Sequence, residues 1–192
     1  MKFWTVQKRE MIDYVLDGEE YYPNFYHSDY LRETPDLSLL YYMVLNSFNM
    51  HNKGEFKGLV FSFFKLSPNE KGTNTISSFG TFESFSESIR KNKNALLGLW
   101  NHFLRNDCVI LELEYDEKFN PLFIEFNDFQ FLMPPIRLCP PYEMLDIQRI
   151  THGIHNAQVY DSPMSSSIVQ GHSPYIKREN IVKIYDMFPL SD

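Results

Sequence analysis

The chain has 192 residues, with 18 Lys and Arg against 25 Asp and Glu and a formal net charge of −7. That balance makes binding to duplex nucleic acid through a broad basic face unfavourable, since phosphates repel an acidic surface. Two cysteines, Cys108 and Cys139, exclude a disulfide framework and favour a reducing compartment. Hydrophobic residues make up 43% of the chain, which excludes wholesale disorder, and 17 Phe with 12 Tyr predict a core built largely from rings. One domain spanning residues 1–192 is expected, long enough to bury about 70% of its unfolded surface without disulfides or metal. The opening MKFWTVQKRE has no apolar stretch of signal-peptide length, and no window approaches the ~20 apolar residues of a membrane span. A cytoplasmic protein with no membrane partner is expected.

In chain order, Phe3 to Gln7 reads as a strand of aromatic and β-branched residues. Met11, Ile12, Val15 and Leu16 then recur at helical spacing, with Gly18 placed to end the helix. The aromatic segment EEYYPNFYHSDY fits no regular element. Thr34-Pro35 starts a helix whose stripe is Leu37, Leu40, Tyr41, Val44, Leu45 and Phe48. Leu59 to Leu66 is a strand apolar on both faces, and Ser67 to Thr75 a loop.

Ser84 and Glu87 have capping-box spacing, and Leu96, Leu97, Leu99, Trp100, Phe103 and Leu104 form the apolar side of a following helix. Cys108 to Tyr115 alternates in the manner of a half-buried strand, paired with Leu122 to Phe126 and extended by Phe129 to Met133. Prolines 134, 135, 140 and 141 interrupt regular structure. Tyr142 to Ile154 is helical in part, Gln158 to Ser173 reads as a loop, and Ile181 to Phe188 as a closing strand. Strands scattered between about four helices predict an α+β fold with a mixed, largely antiparallel sheet, either continuous or split.

The sequence has no Gly-rich phosphate loop, nucleophile elbow, zinc-protease helix or paired CxxC motif. His152 and His155 would share a helix face and begin a metal site with Asp161 or His172, but Gly153 weakens that helix, so no metal is expected. Glu112 and Glu114 share one side of their strand. Paired carboxylates can divide acid and base roles, although on a half-wet strand they mark the solvent side. Trp4, Thr5 and Gln7 offer a different arrangement, in which polar strand residues bond an amide or ribose over a packed indole.

Three segments carry a resemblance: FWTVQ before a short helix, LVFSFF in mid-chain, and CVILELEYDEKFNPLFIEFNDF downstream. With IQRITHGI and IVKIYDMF, they resemble an uncharacterised bacterial family of this length that opens with a Trp-Thr-Ile/Val-Gln strand. That arrangement is in turn remotely similar to bacterial-toxin ADP-ribosyltransferases. The similarity implies NAD as cofactor, with Trp4, Thr5 and Gln7 at the first-strand site. One of Tyr21, Tyr22 and Tyr26 would stack on the ring, Tyr22 being the named candidate, and Gln148 would sit in the late motif. No carboxylate follows Gln148, where the chain reads Arg149-Ile150-Thr151-His152-Gly153. Either Glu112, Glu114 or Glu125 takes the carboxylate role, or the chemistry is absent.

Two functions are therefore expected. The first is an ADP-ribosyltransferase-like NAD-binding protein, such as a toxin or phage-conflict effector. The alternative is a non-catalytic regulator or inhibitor that binds a protein partner through its tyrosine-rich loops.

Overall fold

A computed structural model describes residues 1–28, 32–33, 35–68, 74–116, 118–125, 148, 152 and 167–190. Its centre is a seven-stranded sheet of β1 (Lys2–Lys8), β2 (Val60–Pro68), β3 (Asn74–Ser77), β4 (Cys108–Glu114), β5 (Phe123–Glu125), β6 (Ile168–Ser173) and β7 (Ile181–Asp186). The order is β5-β6-β2-β1-β4-β7, with β3 continuing along the β2 edge that β1 leaves. Every described pairing is antiparallel and the sheet is continuous, so the fold is α+β.

Four helices flank the sheet among the described residues: α1 (Arg9–Leu16), α2 (Pro35–Asn52), α3 (Phe82–Lys91) and α4 (Lys93–Arg105). α1 follows β1 directly and buries Ile12 and Val15, three residues apart and so on one side of the helix. Gly18, at φ 105°, adopts the left-handed conformation that closes this turn. α3 begins one turn earlier than its sequence predicts. Thr81 is the capping residue and Ser84 its reciprocal partner, so the box is Thr81/Ser84 rather than Ser84/Glu87.

Strand alternation sends neighbouring residues to opposite faces. On one face Trp4, Val6, Phe63 and Ile110 meet Phe85 and Ile89 of α3 and Leu96 and Trp100 of α4. On the other, Phe3, Val60, Phe64, Leu111 and Val169 meet Ile12 and Val15 of α1. A third cluster, near the start of β2, joins Tyr41, Val44, Leu45 and Phe48 of α2 to Phe25, Leu59 and Leu122.

Five sequence expectations need correction. β4 is not half-buried: it lies between β1 and β7, and only Glu114 at its end is exposed. Its partner is not the Leu122 region, because β5 pairs with β6. Ile168–Ser173, expected to be loop, is the fully buried strand β6. Its Gly, Ser and His look loop-like, yet Gly171 is needed there, since a β-carbon would collide with the Phe64 and Phe123 rings. Leu97 and Leu104, assigned to the apolar side of α4, are exposed, and Leu96 and Trp100 carry the burial. The loop expected at Ser67 to Thr75 is shorter, because β2 runs to Pro68 and β3 begins at Asn74. Phe129 to Met133 lies outside the described residues, as does all of Tyr142 to Ile154 except Gln148 and His152.

A recess beside the first strand

β1 sorts the candidate residues by parity. Trp4 points to the α3/α4 face and is fully buried. Its indole donates to the Phe79 carbonyl at 2.8 Å and stacks on Phe85 at 5.1 Å. Glu112 is the cross-strand partner of Trp4 and shares that face at 5% exposure. Lys2 Nζ lies 2.5 Å from one carboxylate oxygen, and the Tyr185 hydroxyl donates to the other at 3.0 Å. Burial, then this bond to Glu112, pushes the Tyr185 phenol above its ordinary pKa. The expectation that Glu112 marks a wet face is overturned; its two oxygens are already engaged. Glu114 is exposed at the strand end, opposite Lys2.

Thr5 and Gln7 point to the opposite face. Thr5 is fully buried and donates its single hydroxyl proton to the Phe61 carbonyl at 2.5 Å. Its oxygen must therefore accept in its contact with Gln7 at 2.9 Å, which identifies the Gln7 atom there as the amide nitrogen. The Gln7 amide oxygen is left with no hydrogen-bond partner among the described residues.

Gln7 lines a recess of about 260 Å³ with Tyr21, Asn24, Phe25, Tyr41, Leu59 and Phe61 among its walls. Phe25 and Phe61 are nearly parallel at 6.2 Å, and Tyr41 meets both edge-on. The Tyr21 hydroxyl also has no hydrogen-bond partner among the described residues, and burial raises its pKa. None of the described lining residues carries a formal charge.

The outer wall is a strap, residues 21–25, fixed at both ends. Tyr21 exchanges two backbone bonds with Ile176, each 2.9 Å, and the Phe25 amide donates to the Lys57 carbonyl at 2.9 Å. Gly58 lets the strap lie close, for a β-carbon there would fall 2.6 Å from the Pro23 carbonyl. On the strap's other flank lies a second recess, about 330 Å³, lined by Tyr22, Glu55, Phe56, Lys57 and Pro174, with Pro23 and Asn24 shared. Tyr22 and Tyr26 are 50% and 60% exposed, Tyr22 near Tyr175 and Tyr26 against Tyr42.

The structure thus brings Gln7 and Tyr21 together, sets Tyr22 on the neighbouring recess, and separates Trp4 and Glu112 from them by the thickness of the sheet. Gln148 is helical and exposed, and it is not among the described residues lining either recess. His152 is likewise helical and exposed, His155 lies outside the described residues, and no three metal-ligating side chains cluster among those described. Phe61, Tyr41 and Leu59 are expected from the sequence only as members of a strand and a helix stripe, and no local signal marks them as lining a recess.

His172 is buried beneath the same end of the sheet. The Leu122 carbonyl accepts from its backbone amide at 3.1 Å and from Nδ1 at 2.7 Å, and its ring meets Phe61 edge-on at 5.1 Å. Because a carbonyl only accepts, Nδ1 carries the proton. Burial pushes the imidazole pKa down to about 4, so the ring is neutral near pH 7. No helix among the described residues is long and apolar enough to cross a membrane.

The fold and this site define an α+β protein with an uncharged aromatic recess beside its first strand. No family model matches the chain, and no curated protein or solved structure matches it either.

Proposed function

We propose that the protein is a non-catalytic regulator or inhibitor that recognises a protein partner through the strap and the recesses flanking it. The observation that carries this reading is the division of the candidate residues. The recess gathers rings, Gln7 and Tyr21, while the Glu112 carboxylate is engaged elsewhere by Lys2 and Tyr185. Exposed tyrosines on and just after a fixed strap, Tyr22 and Tyr26, suit recognition, because a ring brings large contact area with few rotatable bonds to immobilise. A panel of displayed random peptides selected on the protein tests it. Binders that lose affinity in Tyr22→Ala and Tyr26→Ala are expected. Binders indifferent to both substitutions would count against the strap.

The NAD reading keeps one supporting observation: a polar first-strand residue, Gln7, facing stacked rings beside Tyr21. In that reading Glu112, Glu114 or Gln148 completes an ADP-ribosyltransferase-like site. Release of nicotinamide from NAD, abolished by Glu112→Gln in a variant that still folds, would favour it over the binding role. Heat stability unchanged at millimolar NAD would remove its support, since a ligand at 100 times its Kd adds ~2.7 kcal/mol.

A further inference from the structure

The outer faces of α1 and α4 lie on opposite sides of the sheet, and they complement each other in shape and charge. α4 buries Leu96 and Trp100, which leaves Asn94, Leu97, Gly98 and Asn101 on its far side. Spaced at i, i+3, i+4 and i+7, these residues frame the hole that receives a side chain from a neighbouring helix. Gly98 is its floor. A β-carbon there would meet no atom within 4 Å, so packing inside the chain does not call for glycine, a poor helix former. Leu97, 45% exposed, is the apolar wall. Lys93 and Arg105 flank the hole, and no Asp or Glu lies between Glu87 and Asp107. Neither cation has an ion pair among the described residues; Arg105 bonds the Asn101 carbonyl at 3.1 Å.

α1 presents the counterpart. With Ile12 and Val15 buried, its far side carries Glu10, Asp13, Tyr14 and Asp17, all exposed. Tyr14 projects at 51% exposure. The carboxylates around it have no ion pair among the described residues. A ring set among carboxylates thus matches a glycine-floored hole set between cations, and the sheet keeps one molecule from joining its own two faces. We propose that the chain associates head to tail with a second copy, Tyr14 of one molecule seated over Gly98 of the next and Glu10, Asp13 and Asp17 facing Lys93 and Arg105. Such a contact is heterologous, so every added copy leaves a free face at each end and growth passes the dimer. One helix pair buries less than the ~1,000 Å² of a lasting interface, so the association is weak, reversible and sensitive to salt. It uses neither Tyr22 nor Tyr26 and stands apart from recognition through the strap.

The test is sedimentation velocity of the whole chain up to ~1 mM, with variants that each lack one face. Gly98→Leu fills the hole, its β-carbon meeting nothing in its own molecule. Asp13→Lys with Asp17→Lys inverts the α1 face. The wild type is expected to grow beyond a dimer at low salt. Its association should weaken about tenfold between ~0.1 M and ~1 M salt, as the screening length drops from ~10 to ~3 Å. Each variant alone should stay monomeric. Their equimolar mixture should form a dimer and stop there, since one variant supplies the Tyr14 face and the other the Gly98 face. A wild type that stays monomeric or stops at a dimer would overturn the proposal, as would variants that still self-associate or a mixture that does not. If a variant fails to fold, dilution of the wild type followed by NMR decides. Shifts at the Tyr14 ring and the Leu97 methyls support the contact, and shifts that spare both reject it.

Discussion

The two faces of β1 differ in what they leave undone. On the α3/α4 face, Trp4 has its carbonyl acceptor and Glu112 has Lys2 and Tyr185. Three residues along the same strand, and on the opposite face, Gln7 keeps an unpaired acceptor beside a recess. A strand carries two chemistries at a period of two, so residues adjacent in sequence need not share a site. Saturated polar groups hold a fold together; unsatisfied ones at a cavity are where a ligand gains.

The contrast is sharpest at Trp4. Trp4→Ala is expected to cost about 3–5 kcal/mol, because a buried indole leaves both a cavity and an orphaned Phe79 carbonyl. Urea unfolding measures it. A loss below 1 kcal/mol would break the claim that this face is the structural one.

Next in size is the pH dependence set by His172. The folded pKa of about 4 lies below the ordinary 6.5, so the unfolded chain binds a proton that the folded chain refuses. Its contribution is complete above pH 6.5 and is lost as pH falls toward 4, at up to about 1.4 kcal/mol per pH unit. Unfolding midpoints at pH 7 and pH 5 should differ more in the wild type than in His172→Phe, which keeps a ring against Phe61. Equal differences would show that another group governs this window.

Gly58→Ala should cost about 1–3 kcal/mol through overpacking against Pro23. It should also weaken binding of the selected peptides by displacing the strap, as calorimetry on the folded variant would show. Unchanged affinity would detach the strap from the recess. The smallest effect belongs to Ser62, whose buried hydroxyl has no hydrogen-bond partner among the described residues. Ser62→Ala should leave stability within about 1 kcal/mol of wild type or raise it, since an unmade bond is not lost. A larger loss, read from thermal melts, would reveal an internal water bound there.

Much of the architecture was legible in the residues. β1, α1 with its Gly18 terminus, and the α2 stripe from Tyr41 to Phe48 follow from period and capping alone. β6 was hidden because IVQGHS has loop composition, and the need for Gly171 arises only when Phe64 and Phe123 arrive from distant strands. Alternation in LELE suggested a wet face for Glu112, but β7, some seventy residues later, supplies Tyr185 and closes it. Within the site, Gln7 and the tyrosines stood out by type. Which of them share a cavity was decided by tertiary pairing, such as Tyr21 with Ile176, that no local pattern encodes.

The two faces are separated most directly by following Trp4 Nε1 and the Gln7 side-chain amide in one NMR titration with a selected peptide binder. Movement of the Gln7 resonances with Trp4 unmoved is the expected result. Movement at Trp4 while Gln7 stays still would place the ligand on the face held here to be closed, and the division of labour across the sheet would be wrong.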